Sequence, residues 1–354
     1  MKNIAIFVKN LSSGGAEKQS VLLAKNLATD FHVHYIIFNA SIVHQKYIDM
    51  LNENKKIAIV MFHGNIFKRL FDLIHYLKKN EINSILSYLT GANFYACLAS
   101  VFLKIKVYTG LRNARLPFLK QFADRLLTNY FANQTISNSF SGKEHFEKHG
   151  FKKNKIIVIP NCFSNIKPYK EKDGTNTIHI ITVGRFVPQK DYETAIQSIA
   201  LTRKKCPDII FDIVGYGKQE AQIREWIKIY KIEDISRIYI NPNNIDELLE
   251  KADIYLSTSI FEGTSNSIME GMNANLPIVA TKVGDNDQLI SHNINGFLCN
   301  IKETDTISKY LIQLTLSERN RIRMGKSSKE ILQSKFSENI FKNRYLAILN
   351  PSQI

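Results

Sequence analysis

The sequence predicts an α/β protein built from two doubly wound parallel-sheet domains facing a cleft. Three observations carry this reading. Short apolar runs alternate with longer amphipathic ones, the pattern of a mostly parallel sheet covered by helices on both faces. The alternation reaches Pro160-Asn161, lapses over a polar stretch at residues 167–176, and restarts at Ile178. A chain of 354 residues is long for one core and comfortable for two.

The elements follow in order. Residues 4–8 read as a buried first strand, then a loop at 12–16 containing Gly14-Gly15, then a helix to Ala28. Strands are predicted at 34–38, 57–60, 84–87, 107–109, 134–137 and 156–159, with helical runs between them such as 67–79. The polar stretch 167–176 holds Pro, Lys, Glu, Asp and Gly and reads as the interdomain linker. Beyond it, strands are predicted at 178–183, 209–214, 238–240, 254–256, 277–280 and 296–299, with helices near 192–204 and 218–230. The tail from 305 to 349 is helical in pattern. The predicted boundaries are 1–165 for an N-terminal domain and 177–336 for a C-terminal domain. A helix at 337–354 is expected to pack back on the first domain. In doubly wound folds ligands sit at the carboxyl ends of the strands.

Composition narrows the function classes. A hydrophobic share of 44% and an aromatic share of 10% exclude a disordered chain. No apolar run reaches the ~18 residues needed to cross a bilayer. The start, Met-Lys-Asn-Ile-Ala-Ile-Phe-Val-Lys, is too brief for a signal-peptide core and lacks a cleavage site. Cys97, Cys162, Cys206 and Cys299 are scattered without a Cys-x-x-Cys pair. That argues against a zinc site or disulfide framework and fits a reducing cytoplasm. The expected location is therefore cytoplasmic, or peripheral on the inner face of the cytoplasmic membrane. His145 and His149 stand four apart but have no third ligand nearby, so no metal site is expected.

Charge is unevenly distributed. Residues 1–160 hold 22 Lys and Arg against 9 Asp and Glu, a net of +13, while the remainder nets only +2. Basic and aromatic residues interleave at 66–79 and again at 111–122. Half of each apolar set must face a core; the rest suits an anionic membrane surface. No nucleic-acid-binding motif accompanies the charge.

The residues suited to chemistry lie at strand ends. Glu262 and Glu270 stand eight apart in Ser259-Ile-Phe-Glu-Gly-Thr-Ser-Asn-Ser-Ile-Met-Glu-Gly-Met272, after a strand-like run and into a predicted helix. Backbone N–H groups of Gly263, Thr264 and Ser265 at a helix start can receive a diphosphate. Glu262 and the more distant Glu270, about two turns in, can accept hydrogen bonds from sugar hydroxyls. Gly184, Arg185 and Lys190 follow the first strand of the second half. Arg and Lys there can neutralise a leaving diphosphate, or be two solvated loop charges. Gly215 and Gly217 mark another strand end, and Gly15 the loop after the first strand. The latter is not a Gly-x-Gly-x-x-Gly fingerprint, which excludes a dinucleotide oxidoreductase.

Taken in order, the glycine loop, Gly184-Arg185 with Lys190, Gly215-Tyr-Gly217, Glu262-x7-Glu270 and Pro277-Ile-Val-Ala-Thr-Lys-Val-Gly284 resemble the family-four retaining glycosyltransferases of the GT-B fold. The resemblance covers nearly the whole chain and is most specific from Val183 to Gly296. It implies that Arg185 and Lys190 hold the donor diphosphate, that Glu262 contacts the transferred sugar and that Glu270 binds the ribose. Many members carry a histidine at the fourth-strand end of the first domain. This chain has Ser87-Tyr-Leu-Thr-Gly-Ala-Asn93 there, so Asn93 or Thr90 is expected to contact substrate instead, and Asn93 and Arg112 are the candidate acceptor contacts. The loop after Gly284, Asp285-Asn-Asp-Gln288, also departs from the family pattern. The resemblance implies transfer of a hexose or N-acetylhexosamine from a nucleotide sugar, UDP-linked by expectation. The acceptor would be a lipid-linked (polyprenyl-diphosphate) or polysaccharide glycan in bacterial surface glycan assembly. The nucleotide sugar is then a substrate, and neither cofactor nor metal is implied. A sugar-nucleotide epimerase or phosphorylase on the same fold, and a basic nucleic-acid-binding protein, are the alternatives.

Overall fold

The computed structural model describes residues 1–12, 14–112, 117–170 and 177–350. The chain divides into two compact units, Met1–Ser164 joined by the segment from Glu338, and Asn165–Ser337.

Unit 1 is a seven-stranded parallel sheet of β1 (Asn3–Val8), β2 (His32–Ile37), β3 (Ile57–Met61), β4 (Ser84–Tyr88), β5 (Lys106–Leu111), β6 (Gln134–Ser137) and β7 (Ile156–Val158), in the order β3-β2-β1-β4-β5-β6-β7. Its helices are α1 (Gly15–Leu27), α2 (Gln45–Asn52), α3 (Ile66–Lys79), α4 (Leu89–Phe102), α5 (Phe118–Leu126) with a wider turn at Leu127–Phe131, and α6 (Phe140–Lys148). Strand order reverses between β1 and β4, the switch point where doubly wound sheets take ligands. β1 is an unbroken apolar run because helices cover it on both faces: Ile4, Ile6 and Val8 join the core under α1, while Ala5 and Phe7 join the core under α3 and α4. Each of these Ile, Val and Phe side chains contributes about 1.5–3 kcal/mol by leaving water.

Unit 2 repeats the plan with β8 (Ile178–Arg185), β9 (Ile209–Tyr216), β10 (Ser236–Ile240), β11 (Ile254–Ser257), β12 (Ile278–Thr281) and β13 (Gly296–Cys299), in the order β10-β9-β8-β11-β12-β13. Its helices are α7 (Tyr192–Arg203), α8 (Glu220–Ile229), α9 (Ile245–Lys251), α10 (Asn266–Asn273), α11 (Asn286–Leu289), α12 (Thr304–Thr315) and α13 (Glu318–Phe336). The switch point lies between β8 and β11. Of the stretch read as a linker, 171–176 lies outside the described residues. Lys167 is held in unit 2, its N–H on Asn273 and its ammonium on Glu250 at 2.6 Å.

The last helix, α14 (Glu338–Leu349), belongs to unit 1. Phe341, Tyr345 and Leu349 fill the core under α1, and the Tyr108 hydroxyl donates to the Ile348 carbonyl at 2.9 Å. Lys342 pairs with Asp30 at 2.7 Å.

In unit 2 a buried lysine fixes the position of a short helix. Lys329, on α13, is 2% exposed, and its ammonium donates to the backbone carbonyl and side-chain oxygen of Asn273, the last residue of α10. A cation suits a helix C-terminus. Burial, reinforced by nearby Lys167, still pushes its pKa down from the ordinary 10.5 to about 8. A lowered lysine pKa means that the unfolded chain binds more protons between about pH 8 and 10.5, so this group's contribution to stability rises with pH across that window. Urea unfolding of the protein and of Lys329→Met should therefore diverge in favour of the unmutated chain as pH rises from 7.5 to 10. A pH-independent difference would show that the ammonium is not strained by its burial.

Candidate active site

Two loops at the carboxyl ends of the unit 2 strands are laced together at the switch point. The first leaves β8 through Arg185 and makes a 3-10 turn at Pro188–Lys190; the second leaves β11 and enters α10. The Ile260 N–H donates to the Gln189 carbonyl at 2.9 Å, and the Gln189 amide donates to the Phe261 carbonyl at 2.8 Å. The Thr258 hydroxyl reaches the carbonyls of Lys190 and Asp191 at 3.0 and 2.9 Å. These bonds hold Asp191 in a left-handed conformation with φ +48°. The Lys190 ammonium then lands on Glu262 Oε1 at 2.5 Å, where the Ser259 hydroxyl also donates at 2.8 Å.

A third loop clasps this pair from β12. Gly284 has φ +55°, and a Cβ there would stand 2.2 Å from the Glu262 carbonyl oxygen. The position needs glycine both for its backbone angle and for that close approach. Next to it the Asp285 N–H donates to the Gly263 carbonyl at 3.3 Å. On the β9 side, Gly215 pairs with Gly184 in register, and a Cβ at Gly215 would lie 1.9 Å from the Gly184 carbonyl.

A cavity of about 420 Å³ opens among these loops, lined by Gly184, Arg185, Lys190, Gly215, Glu262, Thr264, Ser265 and Glu270. Eight residues expected from the sequence to hold one ligand thus line one cavity. Arg185, the last residue of β8, is exposed and makes no ion pair among the described residues. Gly263 lies in the same loop, between Glu262 and Thr264. Glu270 lies one turn into α10, which starts at Asn266, rather than about two. It stays near the sheet because Gly271 packs on the fully buried Tyr255 ring, where a Cβ would come within 2.7 Å. Sequence reasoning missed Gln189, Tyr216, Asn241, Pro242, Ile245, Asn266 and Ser267, which with Val183 complete the lining. The signal was present in Asn241-Pro242: Asn241 turns left-handed at φ +44° just past β10, and its N–H donates to the Gly215 carbonyl at 3.0 Å. Two cations, the N–H groups of a helix start and two carboxylates suit a ligand that is anionic at one part and rich in hydroxyls at another. Among the described residues no group of three His, Cys, Asp or Glu is placed to hold a metal ion.

The candidates of the first domain fare differently. Gly15 opens α1, and the Glu17 carboxylate folds back over that helix start: a Cβ on Gly14 would meet it at 2.3 Å, and the Ser12 hydroxyl donates to it at 2.7 Å. The chain's own carboxylate thus stands beside the glycine loop where an anion was expected. Asn93, expected to contact the acceptor, is fully buried. Its Oδ1 accepts from the Ser87 hydroxyl at 2.8 Å and the Gly110 N–H at 3.1 Å, and its Nδ2 donates to the Gly110 carbonyl and Asp124 at 3.1 Å each. Thr90 also donates to Asp124, at 2.6 Å. Asn93 therefore braces β4 and β5 against α4 and α5, and no group of it is left for a substrate. Arg112 follows β5 and is buried on the Tyr88 ring.

Unit 1 also carries an apolar outer face. α3, α4 and α5 pack side by side. Away from the core they expose Phe67 (81%) and Phe71 on α3, Val101 and Phe102 on α4, and Phe118 (80%), Leu119 and Phe122 on α5. Tyr130 follows in the wider turn. Cations stand among the rings: Arg125 lies 5.1 Å from the Phe122 centroid and Lys152 5.2 Å from that of Tyr130. Residues 66–131 hold ten Lys and Arg against three Asp and Glu. Of the run 111–122, residues 113–116 lie outside those described. Among the described residues no helix is long and apolar enough to cross a membrane.

Comparison with known proteins identifies the unit that holds the cavity. Residues 164–331 match the family described as Glycosyl transferases group 1. Over 341 residues, 91% of this chain and 95% of the other, it is 26% identical to an uncharacterized glycosyltransferase of Haemophilus influenzae. It is 24% identical, over 90% of each chain, to a Campylobacter jejuni α-1,4-N-acetyl-D-galactosaminyltransferase whose name specifies a GalNAc-GalNAc-diNAcBac-PP-undecaprenol substrate. Among solved structures, Anabaena Alr3699/HepE in complex with UDP superposes with a TM-score of 0.85 at 18% identity, covering 99% of this chain and 100% of that one. The same protein has been captured with UDP-glucose. Residues 164–331 therefore form a group 1 glycosyl transferase domain, and the chain that carries it is a glycosyltransferase.

Proposed function

We propose that this glycosyltransferase moves a hexose or N-acetylhexosamine from a UDP-sugar to a lipid-linked or polysaccharide acceptor in bacterial surface glycan assembly, with retention of anomeric configuration. The observation that carries the reading is the convergence of Arg185, Lys190, Glu262 and Glu270 on one cavity. The UDP and UDP-glucose complexes of HepE support the donor, and the undecaprenol-linked substrate named for the Campylobacter relative supports the acceptor.

In this reading Arg185 and Lys190 bind the donor diphosphate, helped by the N–H groups of Gly263, Thr264 and Ser265. Lys190 is held on Glu262 before a ligand arrives, so it shifts part of its hydrogen bonding to phosphate as charge builds on the leaving group. Glu262 is thereby freed to accept from a hydroxyl of the transferred sugar, and Glu270 accepts from the ribose. The acceptor hydroxyl attacks the anomeric carbon from the face that the diphosphate leaves, and the departing phosphate oxygen takes its proton. No protein base is then required, and these residues neutralise the diphosphate without a metal.

The acceptor side falls to unit 1, and its apolar face suits an anionic lipid surface. Rings placed among cations match the boundary between headgroups and acyl chains, where each Lys or Arg contributes about 1 kcal/mol. The enzyme would then work peripherally, where lipid-linked acceptors reside.

Arg185→Ala removes a contact that strengthens as the diphosphate leaves, so kcat/KM measured by UDP release should fall about 10²- to 10³-fold. An unchanged rate would sink the assignment. UDP, but not GDP or ADP, should raise the melting temperature of the unmutated chain; equal shifts would remove the case for uridine. Phe67→Ser combined with Phe118→Ser should abolish co-sedimentation with phosphatidylglycerol vesicles while the UDP-induced shift persists. Failure of the unmutated chain to sediment with those vesicles would remove the membrane from this proposal.

A further inference from the structure

The carboxyl edge of the unit 1 sheet holds a cation that has no counter-charge among the described residues. Arg112 is only 9% exposed. Its guanidinium carbon lies 4.2 Å from the centre of the Tyr88 ring, and Nη2 donates to the Tyr345 hydroxyl at 2.9 Å. Nε and Nη1 are buried and meet no acceptor. Burial is the largest influence on its charge, and the groups that act in its favour are Tyr345, Tyr88 and Cys162, none of them a carboxylate.

This is an expensive arrangement. A charge withdrawn from water loses several kcal/mol of solvation, and folded proteins recover that with a partner or with hydrogen bonds to every donor. Two other sequestered cations of the chain have such partners, Glu262 for Lys190 and Asn273 for Lys329. Arg112 alone of the three is left with two idle nitrogens.

The place is equally informative. Tyr88 ends β4, and β4 flanks β1 where the strand order of unit 1 reverses. Ligands of doubly wound sheets bind at that point. Asn161, beside Cys162 and itself 9% exposed, adds another unpaired side-chain oxygen near the same edge. Arginine is the side chain best matched to a planar or tetrahedral oxyanion.

We propose that Arg112 receives an oxyanion carried by the acceptor, a phosphate or a carboxylate, through its unpaired N–H groups. The inference rests on the reading of unit 1 as the acceptor side and narrows the acceptor to one that carries a negative charge. It assigns Arg112 a binding role, with no part in bond making.

The test uses the full chain saturated with UDP, so that the donor cavity is filled and added anion must bind elsewhere. Inorganic phosphate, pyrophosphate and glucuronate are titrated by calorimetry against a chloride control. Saturable binding of at least one oxyanion is expected. It should weaken at least ~10-fold in Arg112→Gln and be partly retained in Arg112→Lys, which keeps the charge but loses the fork. The phosphate and glucuronate arms decide which oxyanion the site takes. Binding that is absent from the unmutated chain, or unaltered in Arg112→Gln, overturns the proposal. If Arg112→Gln fails to fold by circular dichroism, the Lys variant decides: affinity equal to that of the unmutated chain counts against a role for the guanidinium. UDP titration of each variant reports on the donor cavity separately, so failure here is distinguishable from failure of the proposed transferase reaction.

Discussion

The unit 2 cavity depends on a short set of hydrogen bonds that join the loop after β8 to the loop after β11. Without the Thr258 hydroxyl on two successive carbonyls, Asp191 would have no reason to remain left-handed, a conformation that disfavours a side chain. Without Asp191 in that conformation, Lys190 would not reach Glu262. The bonds from Gln189 to Ile260 and Phe261 then set where Glu262 stands. Most of these contacts are backbone or neutral, so the positions of the charged residues follow from a scaffold that the charges do not themselves have to build. That is what pre-organisation for a developing negative charge requires.

The same logic extends outward through glycine. Gly284 brings a third loop against the Glu262 carbonyl, Gly215 brings β9 against the Gly184 carbonyl, and Gly271 brings α10 against Tyr255. Each contact is closer than any side chain permits. α10 is only eight residues long and would be marginal by itself. Gly271 holds it to the sheet on one side, and Lys329 caps its end from α13 on the other. The helix that offers its N-terminus to the cavity is thus fixed by residues that never touch the ligand.

Much of this was legible in the sequence, for physical reasons. Strands of a parallel sheet are buried on both faces and appear as continuous apolar runs, so β1, β4, β8 and β9 could be read directly. Arg185 and Lys190 alone could be solvated loop charges; it is the order of the glycine and charged motifs along the chain, with its family resemblance, that marks Arg185, Lys190, Glu262 and Glu270 as a set. Other features were hidden. α4 starts at Leu89 with φ +72°, immediately after β4, where steric rules lead one to expect glycine. Asn93 reads as a polar residue at a strand end, the usual mark of a site. Its burial depends on Gly110 and Asp124, far along the chain, and no local pattern shows that. On α3 and α5, apolar residues on the solvent side look the same in sequence as those that face a core. The cores identified under α3 and α4 use Leu73, Leu77, Ala92 and Ala96, and leave Phe67, Phe71 and Phe102 outside.

Buried cations separate the structural from the functional more sharply than any motif. Lys329 is spent on a helix terminus, and its bonds to Asn273 are what a permanent brace needs. Lys190 sits on Glu262, only partly exposed, with one strong but exchangeable partner. In the proposed function an incoming phosphate competes for it, and the carboxylate left behind is met by sugar hydroxyls instead. Arg112 has an aromatic face and one neutral hydroxyl, which orient a guanidinium without neutralising it. An arginine held in that way is positioned but not compensated. If orientation of the α14 tyrosine were its whole purpose, an apolar residue would avoid the desolvation cost. The uncompensated charge is therefore the feature of unit 1 that most needs a ligand to account for it.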